Sequence, residues 1–313
     1  MRSSGRYWCR RCCRTKVRRP PPDLSGRTHP PGFGPASSSA CDDPSMDNFS
    51  HRYGPWAVVA GASNGIGLGF ARQFAARGVN VVLASRNEAA LRTEAEAIES
   101  EHGVATRVCV TDLTAADGPA TIIDATADLD VGAVVYNAGA VHGAGLFHEG
   151  PLDEALFLVD LNCRGPVVLA HHFARRFVAR GRGGIVLMSS MAALAGSAYV
   201  ATYSASKAFD INLAEGLAIE LRPRGVDAMA VVAGATRTPA LLASGATVDE
   251  SVYSLMEPDD VARGALDALG TTSLWVAGPG NQLAYDAMRT LPRSDVSLFM
   301  SQGSASLYDL PLL

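Results

Sequence analysis

A short apolar run at residues 56–60, WAVVA, passes without interruption into GASNGIG and then into an alanine-rich helical pattern ending at Gly78. Strand, glycine turn and helix in that order restrict the fold more than any other feature of the chain, because each glycine has a mechanical role. Gly61 permits the tight turn and Gly65 lets the main chain approach a pyrophosphate. Gly67 lets helix and strand pack closely, and the helix N-terminus faces the anion. Ser63, Asn64 and Ile66 complete the turn. The spacing is Gly-x-x-x-Gly-x-Gly, not the Gly-x-Gly-x-x-Gly of other dinucleotide folds, and such a motif alone is weak evidence.

The context strengthens it. Further strands are expected at residues 80–84, 106–110, 132–136, 185–188, 226–232 and 274–277, separated by helical patterns at 88–101, 119–127, 152–180, 203–221 and 257–269. Strands alternating with long helices mean βαβ units and a parallel sheet covered on both faces. With right-handed crossovers the expected result is an α/β, single-domain Rossmann fold with a doubly wound, mostly parallel seven-stranded sheet.

A second signature lies downstream. Tyr203 and Lys207 stand four apart on a helical pattern and so share one helix face. An ammonium beside a phenol favours the phenolate. Ser190, a hydroxyl donor, ends the apolar run that precedes this helix. A phenol so placed, next to a hydroxyl able to hold a carbonyl oxygen, suits alcohol/ketone redox chemistry. Tyr-x-x-x-Lys also arises by chance on surface helices; agreement with the glycine turn raises it above that.

Together, Gly61-x-x-x-Gly65-Ile66-Gly67, Asn137-Ala138-Gly139, Asn162, Ser190 and Tyr203-x-x-x-Lys207 stand in the order and spacing of the short-chain dehydrogenases/reductases. The chain resembles that family over about residues 55–278. Its segments YGPWAVVAGASNGIG and NVVLASRN are most similar to the branch of 17β-hydroxysteroid dehydrogenases and 3-oxoacyl-CoA reductases, which implies a place in lipid metabolism. The resemblance implies an NAD(P)-dependent oxidoreductase acting on CH–OH groups. Tyr203 would be general acid in reduction and general base in oxidation. Lys207 would support it and bind the nicotinamide ribose, Ser190 would hold the substrate oxygen, and Asn162 would anchor a proton-relay water. Asp112 and Leu113 would contact the adenine, with a turn or helix cap as the plain alternative for Asp112. Asn137, Ala138 and Gly139 would close the cofactor site, and Gly234, Thr236 and Thr238 would lie near the nicotinamide. A homodimer or homotetramer is also implied.

Two positions depart from the family pattern. Ala233-Gly234 replaces its Pro-Gly, which should loosen a turn near the nicotinamide. Ala60 replaces the Thr before the first glycine, removing a hydroxyl that ties the turn. Ser85-Arg86 ends the second strand, where an acid would bind the free 2′-hydroxyl of NAD; a guanidinium instead pairs with a 2′-phosphate, so NADP(H) is expected over NAD(H). Pro239, Ala240, Leu241, Leu242 and Ala243 stand in the family's substrate loop, and their apolarity implies an apolar alcohol or ketone, such as a 3-oxoacyl thioester or ketosteroid. A non-catalytic NADP-binding sensor or scaffold is the alternative, and a filled catalytic tetrad argues against it.

The ends differ from the body. Residues 1–45 carry nine Lys and Arg against three acids, leaving 18 basic and 28 acidic residues in the rest. The acidic body shows no basic face for nucleic acid. Residues 1–52 are expected to be a disordered basic, Pro-rich extension, with Met46 as the natural start. Residues 53–280 form the Rossmann domain, and residues 281–313 a partly amphipathic helical tail. Cys109 and Cys163 read as buried thiols, which fits a reducing cytoplasm. No apolar stretch is long enough for a transmembrane segment. No metal site is expected: His171 and His172 read as a surface pair, and His142 and His148 as plain residues of a Gly-rich loop, with a place bordering the substrate cleft as the alternative.

Overall fold

The computed structural model describes residues 44–141, 144–249 and 255–312. Its strands are β1 (Trp56–Ala60), β2 (Asn80–Ser85), β3 (Thr106–Val110), β4 (Val131–Tyr136), β5 (Gly183–Ser190), β6 (Val226–Ala233) and β7 (Leu274–Val276). The helices are α1 (Pro44–Tyr53), α2 (Gly65–Ala75), α3 (Glu88–His102), α4 (Gly118–Ala125), α5 (Leu152–Val159), α6 (Gly165–Arg180), α7 (Ala201–Leu221), α8 (Pro239–Ala243), α9 (Pro258–Ala268), α10 (Pro279–Met288) and α11 (Arg293–Leu307).

All seven strands pair in parallel, in the order β3-β2-β1-β4-β5-β6-β7. Every residue of β4 and β6 is buried, because helices cover both faces of the sheet, and the one charged side chain among them, Asp227, is held by partners. Alternate residues serve opposite cores, as strand geometry requires. Ala57 and Val59 pack with Phe70 and Phe74 of α2, Leu91 of α3 and Val261 of α9. Val58 and Ala60 pack on the other side with Ile122 of α4, Phe173 of α6 and Ala214 of α7. The sheet reverses its direction of growth between β1 and β4, which opens a crevice beyond their carboxyl ends. Gly61 and Asn137 begin the two loops that leave those strands.

Four expectations are corrected. The stretch at 152–180 is not one helix: a π turn at Asp160–Arg164 separates α5 from α6. Pro166 has no amide hydrogen to continue the α-helical ladder, and a widened turn is one way a chain accommodates that. The displaced carbonyl of Leu161 accepts a hydrogen bond from the Tyr136 hydroxyl at 2.7 Å.

The extension does not run unstructured to residue 52. Within α1, Phe49 packs edge-on against Tyr53 and joins the core. Tyr53 is buried and donates to Asp227 Oδ2 at 2.8 Å, while Arg52 pairs with the same oxygen at 2.6 Å. A polar helix held by two aromatic rings carries too little periodicity to be read from sequence. Residues 1–43 lie outside the described residues.

At the other end, helix begins at Pro279, inside the expected domain boundary, and the tail is two helices broken at Pro292. Residues 239–243, expected as a loop, are the short helix α8.

Candidate active site

The glycine turn has the geometry its sequence demands. Gly61 and Gly65 have φ of +89° and +56°, values that side chains other than glycine rarely tolerate. A Cβ at Gly67 would lie 1.9 Å from the carbonyl oxygen of Gly61 and 2.5 Å from Asn137 Nδ2. The amides of Asn137 and Ala138 donate to Ala60 O at 3.0 and 2.8 Å. The Asn137 side chain donates to Gly61 O at 3.0 Å, tying the turn that Ala60 cannot tie with a hydroxyl. Asn64 gives α2 no side-chain cap, and its first turn carries no acid. That N-terminus, with no acid and no side-chain cap, is electrostatically suited to a phosphate, a chemistry that fits the pyrophosphate of a dinucleotide.

Around this turn, Ser85 Oγ donates to Ser63 Oγ at 3.0 Å. Arg86 is exposed beside them. Asp112 Oδ1 accepts from the Thr114 amide at 3.0 Å and its hydroxyl at 2.8 Å. Those bonds, with the charge of Arg86 adding, hold the Asp112 carboxyl below its usual range. Asp112 is thus a turn residue, on a carboxylate that stays exposed to the same rim. Leu113 turns its side chain into the core, leaving only its backbone to the crevice. Thr238 caps α8 by accepting from the Leu241 amide at 3.2 Å, and its methyl faces Gly65. Thr236 is buried and donates to Gly234 O at 3.1 Å. Gly234 is covered by Asn281 of α10: a Cβ there would lie 2.4 Å from its amide nitrogen.

The second cluster sits on α7, beside the carboxyl ends of β4 and β5. Lys207 is buried; its ammonium donates to Met188 O at 2.8 Å and to Asp210 Oδ2 at 3.2 Å. Ser189 Oγ donates to Lys207 O at 2.7 Å, so the end of β5 grips the lysine at both ends. Asn162, fully buried in the π turn, donates to Ala140 O at 3.3 Å and to Ser206 Oγ at 3.0 Å. Ser206 in turn donates to Tyr203 O at 2.8 Å. Gly139 faces both Lys207 Nζ and Asn162 Oδ1. Tyr203 and Ser190 remain partly exposed. Ser190 Oγ accepts from the Ala192 amide at 3.2 Å, which leaves its proton free to donate.

Helix α11 packs over the segment joining Ser190 to Tyr203. Ser197 Oγ lies 2.8 Å from Ser304 Oγ and donates to Met300 O at 3.0 Å. Ser301 Oγ accepts from the Ala198 amide at 2.9 Å, and the Tyr199 hydroxyl donates to Pro311 O at 2.6 Å. Tyr308 reaches the same cleft. Burial pushes its phenol up, a hydrogen bond with Ser244 opposes this, and the nearby Tyr203 adds to it.

The structure therefore gathers Asn162 and Lys207 around Gly139, links Asn162 through Ser206 to the backbone of Tyr203, and adds residues that the sequence did not single out. Ser206 and Asp210 carry no motif, and the reach of Tyr308 depends on contacts across the chain. His148 is exposed beside Glu149, and His172 packs edge-on against Phe173. No cluster of metal-binding side chains occurs among the described residues. His142 lies outside the described residues.

Residues 55–248 match the short chain dehydrogenase family. A 7β-hydroxysteroid dehydrogenase of Clostridium sardiniense is 32% identical over 249 residues, which span 80% of this chain and 95% of that one. A very-long-chain 3-oxoacyl-CoA reductase of Meyerozyma guilliermondii is 37% identical over 194 residues, spanning 59% of this chain and 57% of that one. Among solved structures, that of a 7β-hydroxysteroid dehydrogenase superposes with a TM-score of 0.76 at 29% identity, covering 80% of this chain and 98% of the other. A short-chain dehydrogenase from Sphingobium yanoikuyae in complex with NADPH gives 0.68 at 31% identity, covering 75% and 92%. The chain belongs to the short-chain dehydrogenase/reductase family, NAD(P)-dependent oxidoreductases that act on CH–OH groups.

Proposed function

We propose that the protein reduces a ketone on an apolar substrate with NADPH, and runs the reverse alcohol oxidation, at Tyr203. The observation that carries this reading is the buried Lys207 ammonium, fixed by Met188 O one turn along α7 from a tyrosine that stays open to solvent. In reduction the Tyr203 phenol gives its proton to the substrate oxygen, and in oxidation the phenolate takes it back. Lys207 sets a positive charge one helical turn from the phenol. The Ser190 hydroxyl donates to the same oxygen and stabilises charge as it develops. Asn162, held by Ala140 and Ser206, offers Oδ1 to a water that relays the proton.

The bound nicotinamide supplies or accepts the hydride. Gly61, Ser63, Asn64, Gly65, Ile66 and Gly67 would cradle its pyrophosphate. Ser85 and Arg86 would hold the 2′-phosphate, and Asp112 with the backbone of Leu113 would border the adenine. Asn137, Ala138, Gly139, Tyr203, Lys207, Gly234, Thr236 and Thr238 would surround the nicotinamide half.

A ketosteroid is the favoured substrate class over a 3-oxoacyl thioester. The hydroxysteroid dehydrogenase matches along nearly its whole length, whereas the chain spans about half of the 3-oxoacyl-CoA reductase. Exposed Leu242 on α8 and the half-buried Tyr308 supply apolar surface beside the cleft. Exposed Leu152, Leu156, Val159, Val167, Phe209 and Ile219 along α5 to α7 support pairing of copies as a homodimer or homotetramer. The two cysteines among the described residues, Cys109 and Cys163, are free and fit a reducing cytoplasm, and no described helix is long and apolar enough to cross a membrane.

The test is NADPH oxidation with 7-keto, 3-keto and 17-keto steroids, 3-oxoacyl thioesters and retinal, for wild type and Tyr203→Phe. A loss of about 10²–10⁴-fold in kcat with NADPH binding retained is expected. A variant that keeps more than about a tenth of wild-type kcat would remove Tyr203 from the role.

A further inference from the structure

Asp210 lies three residues beyond Lys207 on α7 and is 2% exposed. Its Oδ2 accepts from Lys207 Nζ at 3.2 Å, while its Oδ1 has no hydrogen-bond partner. A buried carboxylate with one unsatisfied oxygen is costly, and an apolar side chain of similar size would pack there at less expense. Its one compensating contact is the ammonium that supports Tyr203. That ammonium has three donors; Met188 O and Asp210 take two, leaving the third for the reaction site. The other ionisable groups that face Asp210 are Tyr136 of β4 and Cys163 of the π turn, both pushed up by burial first and by the Asp210 charge second.

We propose that Asp210 is a positioning residue: its carboxylate locks Lys207 against Met188 and partly neutralises it, and so sets the pH at which Tyr203 exchanges its proton with the substrate. This rests on the roles given above to Tyr203 and Lys207. An uncompensated ammonium would favour the Tyr203 phenolate more strongly than a paired one does. Burial pushes the Asp210 carboxyl up to about 6, against the opposing charge of Lys207. Its own titration therefore falls within a range where the enzyme can be studied.

The readout is the ionisation of Tyr203, followed in the full chain by NMR of ring-labelled tyrosine, with the resonance identified by its absence in Tyr203→Phe. In Asp210→Asn the phenolate transition should move to lower pH by about one unit, a tenfold change in proton affinity. Asp210→Ser, smaller and also neutral, serves if the Asn variant does not fold. Wild type supplies an independent arm: its Tyr203 signal should show a second inflection near pH 6, where Asp210 titrates. A Tyr203 transition unmoved in a folded variant, or no wild-type inflection there, overturns the proposal. A purely structural Asp210 would change melting, leave the Tyr203 transition unmoved in the variant and give no inflection near pH 6 in wild type. Failure of the reading itself shows separately, as activity that survives in Tyr203→Phe.

Discussion

Asn137 donates its side-chain amide to the carbonyl oxygen of Gly61 at 3.0 Å, so the loop after β4 holds the loop after β1 where the sheet reverses its order. Gly67 lies under that bond. Its missing side chain is what allows helix α2 to approach the turn closely enough for the bond to form.

Gly67→Ala should therefore damage the cofactor crevice specifically. The new methyl would meet backbone at 1.9 Å and Asn137 at 2.5 Å, and backbone cannot rotate away. Overpacking of this kind costs about 1–3 kcal/mol, which lowers Tm by roughly 3–10 °C. NADPH affinity, measured by fluorescence titration, should fall about tenfold or more, equivalent to about 1.4 kcal/mol. Wild-type affinity in the variant would mean that the turn does not hold the pyrophosphate.

The strands and this turn were legible because their signals are local. Runs such as GAVVY and DAMAVV are buried on both faces, and each glycine answers a constraint within a few residues. Tyr203 and Lys207 were legible for the same reason, one helical turn apart. The surroundings of the site were not. Asn162 meets Ser206 across 44 residues of chain and Ser197 meets Ser304 across 107, so neither contact leaves a local pattern. The π turn was hidden because 152–180 keeps helical periodicity on both sides of Pro166. Asp210 was invisible because a carboxylate on a long helix ordinarily reads as a solvent-facing residue; only the fold shows it buried against Lys207.

Asp210 also gives stability a defined pH dependence. Burial raises its carboxyl to about 6 in the folded chain, above the value of about 3.9 expected when unfolded. A group raised in this way favours the folded state fully below its unfolded pKa, and that contribution is lost as pH rises through the folded value. Wild type should therefore gain about 2 kcal/mol relative to Asp210→Asn between about pH 7.5 and about pH 4.5. Urea unfolding of both chains at the two pH values measures the gap. An unchanged gap would place the Asp210 titration elsewhere.

Helix α1 makes the position of an N-terminal truncation matter. A chain beginning at Met46 keeps Phe49, Arg52 and Tyr53 and should melt and turn over like the full chain. One beginning at Pro55 loses the Phe49–Tyr53 ring pair and leaves Asp227, 7% exposed, without either of its partners. Removing a buried aromatic typically costs about 3–5 kcal/mol, so its Tm should fall by roughly 6–20 °C. Equal melting of the two truncated chains would show that α1 does not contribute to the folded domain.

Cofactor choice should turn on Arg86. It is exposed at the carboxyl end of β2, the position from which a side chain reaches the adenosine ribose in this sheet arrangement. The charge of Arg86 acts on Asp112, whose carboxylate is already engaged by Thr114. The guanidinium is thus available to a 2′-phosphate, which it can meet with charge-assisted hydrogen bonds. Ser85, bonded to Ser63, keeps the adjoining position neutral, where an acid would repel the phosphate. Hydrogen bonds to charged groups are worth about 1.5–3 kcal/mol, so Arg86 should favour NADPH over NADH by roughly ten- to a hundredfold. Ser85→Asp combined with Arg86→Leu should reverse the preference, mostly through KM for the cofactor, because the substitution lies far from the reacting atoms. Initial rates with both cofactors for both chains decide it. A wild type that uses NADH as readily as NADPH, or a double variant that keeps its preference for NADPH, would show that selection lies outside Arg86.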